Sequence, residues 1–207
     1  MSALETLVQD AATLGVTLSE ADARRLLTLL DELARWNRTY NLTAISTPAE
    51  MLTHHLLDSL AIDRDLQGTR VADVGTGAGF PGLPLAVCNP ARHFTLIDST
   101  AKKIRFVSHA AQALGLTNVT AVHARAQSLR PEAPFDTVVA RALAPLPLML
   151  AQVAPLCGAQ SRVLAMKGRW PTQELASLPA SWRLAGSREL KIPGLAEARC
   201  VIVLTSA

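Results

Sequence analysis

Apolar residues recur at two different periods along this chain, and the period changes near Gly68. Before that point the spacing is three and four. Leu26, Leu29, Leu30, Leu33 and Trp36 form one stripe, which predicts an amphipathic helix from Ala21 to Trp36. The same period predicts helices over Leu4–Leu14 and Pro48–Leu66, the second opened by Thr47-Pro48-Ala49-Glu50, a capping-box pattern with proline in the first turn. After Gly68, short strand-like runs alternate with helix-length segments. Val71–Val74, His93–Asp98, Val119–His123, Phe135–Ala140 and Arg162–Lys167 predict parallel strands, with helices starting near Pro81, Ala101, Ala126 and Pro147. Trp182–Leu190 and Arg199–Leu204 have no helix-length segment between them and predict an antiparallel hairpin at the sheet edge. The expected fold class is therefore α/β: a Rossmann-like, mainly parallel sheet with an antiparallel C-terminal hairpin and an N-terminal helical extension. Residues 1–67 are expected to pack as that extension on a core of residues 68–207, in one compact unit.

Composition narrows the picture only slightly. A chain of 207 residues, 49% hydrophobic and 18% charged, is long enough to bury a sizeable core. A formal charge of +3 permits an anionic partner without demanding one. Cys88, Cys157 and Cys200 are odd in number and widely spaced, which favours reduced thiols over disulfides or a zinc site, and no metal is expected. Met1-Ser-Ala-Leu-Glu-Thr has no signal-peptide character, and no run reaches the length of a membrane span, so the expected location is cytoplasmic and no membrane partner is expected.

The chemistry concentrates at Arg70-Val-Ala-Asp-Val-Gly-Thr-Gly-Ala-Gly-Phe-Pro-Gly82, a buried-strand pattern running into a glycine turn. Gly75 and Gly77 allow positive φ and close approach of the backbone to a ligand. Asp98 ends the next strand at the position where a doubly wound fold places its ribose-binding acid. Gly77-Ala-Gly79-Phe-Pro-Gly82 also fits the dinucleotide fingerprint G-x-G-x-x-G, which leaves a nicotinamide or flavin reading open. Asp73 argues against it, because an acid before the glycines repels a pyrophosphate. The same acid suits a cofactor with an ammonium and a sulfonium and no phosphate, namely S-adenosylmethionine. Parallel strands followed by a terminal hairpin are also what class I methyltransferases look like.

Further strings occur in order: Trp36-Asn-Arg-Thr-Tyr-Asn-Leu-Thr43, His55-Leu-Leu-Asp-Ser-Leu60, Val74-Gly-Thr-Gly-Ala-Gly-Phe-Pro-Gly82, Ile97-Asp-Ser-Thr-Ala-Lys-Lys103 and Ala140-Arg-Ala142. Over nearly its whole length the chain resembles the glucose-inhibited division protein B family of small-subunit ribosomal RNA guanine-N7 methyltransferases. The resemblance implies methyl transfer from S-adenosylmethionine to N7 of a guanine in the 530 loop of bacterial 16S ribosomal RNA, as naked RNA, the 30S subunit or an assembly intermediate. It implies a cofactor site at Gly75, Phe80, Ala126, Gln127 and Arg141, and a substrate side drawn from the strings holding Asn41, His55 and Asp58. A monomer is the expected state.

Each candidate has a structural alternative. Asp98 either accepts the ribose diol or caps the next helix, with Ser99 and Thr100 behind it. Asp73 either reaches the methionyl ammonium or caps a helix. Phe80 either contacts the cofactor or packs in the core, and relatives often carry an acid where Gln127 stands. Arg141 follows a buried-looking strand at the carboxyl edge, where open sheets bind ligands. Arg141 and Lys167 are the candidates to donate to the O6 edge of the guanine, and no general base is expected. Asn37 and Asn41 share a face if their helix persists, and His55 and Asp58 lie at i and i+3, where a structural hydrogen bond is the alternative. His54 is expected to be exposed. Lys102, Lys103 and Arg105 open a helix where the macrodipole disfavours cations, which points to an anion nearby or to a solvated face. Lys102 and Lys103, with Arg35 and Arg38, are the expected RNA contacts; Arg169 and Arg188 are weaker ones. Trp36, Tyr40 and Trp170 are the aromatics available for base stacking. Against this reading stand a small-molecule methyltransferase of the same fold, a non-catalytic nucleotide- or RNA-binding assembly factor, and last a dehydrogenase.

Overall fold

A computed structural model describes residues 2–207. Helix α1 (Ala3–Thr13) begins at a reciprocal capping box between Ser2 and Glu5, and α2 (Glu20–Tyr40) buries Ala23, Leu26, Leu29, Leu30 and Leu33, the stripe read from the spacing. The third helix is shorter and more broken than expected. Thr47 caps α3 (Pro48–Met51), which runs into a π-helical stretch, Leu52–Leu57, and then α4 (Asp58–Leu60). At the end of α4, Arg188 Nη2 donates to the carbonyl of Ala61 at 2.7 Å, satisfying an orphan acceptor of the helix end.

The sheet has seven strands in the order β3-β2-β1-β4-β5-β7-β6. Strands β1 (Arg70–Val74), β2 (His93–Asp98), β3 (Val119–His123), β4 (Phe135–Arg141) and β5 (Cys157–Lys167) are parallel. Strands β6 (Trp182–Glu189) and β7 (Cys200–Ser206) form the antiparallel hairpin, with β7 pairing to β5. Between the parallel strands lie α5 (Gly82–Cys88), α6 (Ala101–Ala113) and α7 (Leu146–Val153), and α8 (Thr172–Ala176) follows β5.

Two expectations fail here. No α-helix starts at Ala126, where there is only a 3₁₀ turn, Ala126–Ser128. The connection that follows contains Pro131 and Pro134, which remove backbone donors and bar a longer helix. Strand β5 also begins at Cys157 rather than Arg162, through exposed Ala159 and Gln160 that carry no strand signal.

Alternation along the strands splits the core into two layers. Val71, Leu96, Val139 and Leu164 face a layer shared with α1, α2, α5 and α6, while Ala72, Ile97, Val138 and Val163 face α7 and its neighbours. Arg141 continues the Thr137, Val139 side and therefore points at the helical extension.

Candidate active site

At the carboxyl edge of β1, Gly75 turns the chain at φ +70° and its N–H bonds the Ile97 carbonyl at 2.8 Å. A Cβ at Gly75 would lie 2.7 Å from Leu143 Cδ1. Asp98 is buried at the end of β2, and its Oδ2 accepts the Gly77 N–H at 3.0 Å while Oδ1 accepts the Thr100 N–H at 2.8 Å. These elements border a cavity of about 360 Å³ lined by Gly75, Asp98, Ala126, Gln127, Arg141 and Leu143 among others. The volume lies in the range of small-ligand sites. Each Asp98 oxygen keeps a second acceptor position, so the carboxylate can hold a diol while still pinning the turn. The donor set therefore fits an adenosine-containing cofactor.

Three expected cofactor contacts do not line this cavity. Gly77 acts through its N–H on Asp98. Asp73 lies beneath the turn, where its Oδ2 accepts from Thr76 Oγ1 at 2.6 Å and from the Gly82 N–H at 2.8 Å. It braces the turn, and its Oδ1 is buried without a partner. Burial pushes its pKa up to about 6. Phe80 is buried and stacks on the His55 ring, with centroids 4.6 Å apart.

A second cavity, about 440 Å³, adjoins the first and shares Arg141 and Ala142 with it. Its wall comes from the extension (Ile45, His54, His55, Asp58), from β5 (Met166, Lys167) and from the start of β7 (Arg199 just before it and Cys200). The wide π-helical turn closes with the Asp58 N–H on the Thr53 carbonyl and carries His55 and Asp58 into this wall. They do not bond each other. His55 Nε2 meets Thr43 Oγ1 at 3.2 Å, and burial lowers its pKa to about 4, so the ring is neutral. Asp58 Oδ2 accepts from Arg141 Nη1 at 3.0 Å, and the same nitrogen donates to the His54 carbonyl at 3.0 Å. His54 is half-buried in the wall rather than exposed. Lys167 Nζ is held by the Ala144 carbonyl at 2.9 Å and Glu174 at 2.8 Å. Ala142 sits at φ +51°, an uncommon backbone for a residue with a Cβ, at the junction of the two cavities.

Other candidates fall outside. Asn41 is the exposed C-cap of α2 at φ +48°, and Asn37 turns back to accept the N–H groups of Leu42 and Thr43, so the pair does not share a helix face. Of the expected RNA contacts, Lys102 donates to the Tyr40 carbonyl at 2.8 Å, Arg35 is paired to Glu32, and Lys103 lines the cofactor cavity 3.7 Å from Asp98. Arg38 is exposed. Arg188 is spent on Ala61 and Asp65. Trp36 is half-buried against Tyr40, Phe106 and His109, whereas Trp170 is 51% exposed beside Arg169, just past the Gly168 that lines the second cavity. Arg199 and Arg125, both missed by sequence reasoning, line the two cavities. The signal for Arg199 was a charge at the mouth of an apolar strand. Among the described residues no cluster suited to a metal ion occurs, and no helix is long and apolar enough to cross a membrane.

The strand order and the paired cavities at the carboxyl edge define a class I S-adenosylmethionine-dependent methyltransferase fold. Solved structures share it: a SAM-dependent methyltransferase from Aquifex aeolicus (TM-score 0.56, 18% identity, 80% of this chain and 97% of that one) and another from Thiobacillus denitrificans in complex with S-adenosyl-L-homocysteine (TM-score 0.55, 13% identity, 84% and 98%). The GidB family model, described as rRNA small subunit methyltransferase G, matches residues 22–203. Proteins named ribosomal RNA small subunit methyltransferase G are similar over most of the chain. That of Alkalilimnicola ehrlichii is 49% identical over 193 residues (93% of this chain, 88% of that one), and that of Escherichia fergusonii is 40% identical over 204 residues (99% and 97%). The chain belongs to the rRNA small subunit methyltransferase G family.

Proposed function

We propose that this chain transfers a methyl group from S-adenosylmethionine to N7 of a guanine in the 530 loop of bacterial 16S ribosomal RNA. The observation that carries the reading is the pair of adjoining cavities, one suited to an adenosine moiety and one to a base, joined at Arg141 and Ala142 in a chain of this family. The bound cofactor supplies an electrophilic methyl group on a sulfonium. Guanine N7 has an in-plane lone pair and no proton, so no general base is required, and burial that lowers the His55 pKa to about 4 makes that ring a weak base.

The protein's part is positioning, which is worth several kcal/mol when reacting atoms are held near attack distance. Arg141 has five N–H donors and uses one nitrogen on His54 and Asp58, which leaves donors for the guanine O6 edge. Lys167 likewise keeps one N–H beyond Ala144 and Glu174. Asp98 holds the ribose, and the backbone at Ala126 and Gln127 receives the adenine. In this reading residues 1–67 are a helical extension that completes the base cavity on the 68–207 core. The protein works in the cytoplasm as a monomer on 16S RNA or the 30S particle, with Arg38, Arg125 and Arg169 meeting phosphates.

The test is methyl transfer from radiolabelled S-adenosylmethionine to 30S subunits and to protein-free 16S RNA, with the labelled nucleotide mapped. Label as 7-methylguanine in the 530 loop is expected on one or both. Cofactor binding without label on either would move the small-molecule and assembly-factor readings forward.

A further inference from the structure

Two buried polar atoms in the wall of the base cavity have no partner in the protein: Oδ1 of Asp58 and Nδ1 of His55. Their side chains are almost wholly enclosed, Asp58 being 4% and His55 5% exposed. Unpaired buried polar groups are rare and call for an explanation. Arg199 Nε stands 3.6 Å from Oδ1 of Asp58, which neutralises charge without making a hydrogen bond. Oδ2 is already taken by Arg141. The carboxylate is thus fixed in place with one acceptor left over, in a cavity whose apolar lining (Ile45, Met166, Leu190) accommodates the faces of a planar ring.

We infer that Asp58 selects guanine by accepting hydrogen bonds from its N1–H and exocyclic N2–H groups. The inference rests on the methyltransferase reading above and names what that reading leaves open, the side chain that distinguishes guanine from the other bases. Guanine is the base that presents two adjacent donors on its Watson–Crick edge, and enzymes that act on extruded bases read that edge. Adenine would turn its N1 lone pair toward the carboxylate. A site built to meet donors rejects an analogue lacking them, because its own polar atoms stay unpaired. N1–H and N2–H lie across the ring from N7, so reading these two donors leaves N7 and O6 free to face Arg141 and the cofactor cavity. His55, its ring plane set by Phe80 and its Nε2 by Thr43, offers Nδ1 to the same ligand.

The experiment places guanine, inosine or adenine at the target position of whichever RNA form is methylated, and compares kcat/KM for the natural enzyme and for Asp58→Asn. The natural enzyme is expected to favour guanine over inosine about tenfold, as befits one lost hydrogen bond to a charged acceptor, and over adenine by at least a hundredfold. Asp58→Asn is expected to bring the guanine-to-inosine ratio within about threefold. The ratio is unaffected by partial unfolding, which lowers both rates alike. Retention of guanine and inosine RNAs on the S-adenosylhomocysteine-bound proteins gives the same comparison without turnover. Equal use of guanine and inosine by the natural enzyme, or an unchanged ratio in the variant by either readout, would overturn the inference and leave Asp58 a counter-ion for the two arginines. Failure of the natural enzyme to methylate guanine RNA would instead sink the proposed function.

Discussion

Arg141 borders both cavities and is tied to the extension through the His54 carbonyl and the Asp58 carboxylate, so one side chain links the two cavities to the scaffold. Arg141→Ala should destabilise the protein by about 3 kcal/mol in urea unfolding, because it strips a partner from a buried carboxylate. Arg141→Lys keeps the charge but loses the planar fork, and should lower kcat by about a hundredfold with little change in Tm. A different residue-scale limit sits at Gly82. A Cβ there would lie 2.7 Å from Asp73 Oδ2 and 2.7 Å from Leu96 Cγ, both buried. Gly82→Ala should therefore cost about 1–3 kcal/mol in the same measurement, as overpacking does. The spacing of the glycines made this turn legible. The work of Asp73 was not, since a strand-end acid reads alike whether it meets a ligand or braces the turn beneath one.

Among elements, the hydrophobic pattern predicted the strands and helices α1, α2 and α6, because continuous buried runs and one-sided stripes each leave their own spacing. The Leu52–Leu57 stretch shows where that legibility ends. A π-helical turn shifts later residues around the axis, and apolar residues on both sides of His55 and Asp58 mask the change. The pair was found as a pair, but its members' separate partners, Thr43 and Arg141, come from distant segments that no local spacing reports. Leu56 in this turn is fully buried. Leu56→Ala should cost about 2–5 kcal/mol and raise the KM for RNA while leaving S-adenosylmethionine affinity within about twofold by calorimetry, since the cofactor cavity takes no residue from this turn.

For the molecule as a whole, His55 and Asp73 set opposing pH dependences. The folded-state pKa of His55 is about 4, below its ordinary 6.5, so between those values the unfolded chain binds more protons and stability rises with pH. Asp73 titrates near 6 when folded, above its ordinary 3.8, so the folded chain binds more protons and stability falls as pH rises through that window. Each contribution reaches about 3 kcal/mol, and the two largely cancel. Unfolding free energies measured from pH 4 to 7 should therefore rise more steeply with pH in Asp73→Asn than in the natural protein, and less steeply in His55→Gln. Parallel curves for all three proteins would show that neither group is shifted in the fold.

The wall of the base cavity joins Asp58, made early in synthesis, to Arg199, one residue before the last strand. Chains emerge from the ribosome N-terminus first. The cofactor cavity takes its residues from Val74 to Gln152, so its parts are all present while the last quarter of the chain is still to be made. A nascent chain that ends before Arg199 lacks both that residue and β7, which leaves one pairing edge of β5 uncovered. The base cavity proposed above therefore closes only when segments far apart in the chain have met, whereas the cofactor cavity needs only the span between Val74 and Gln152.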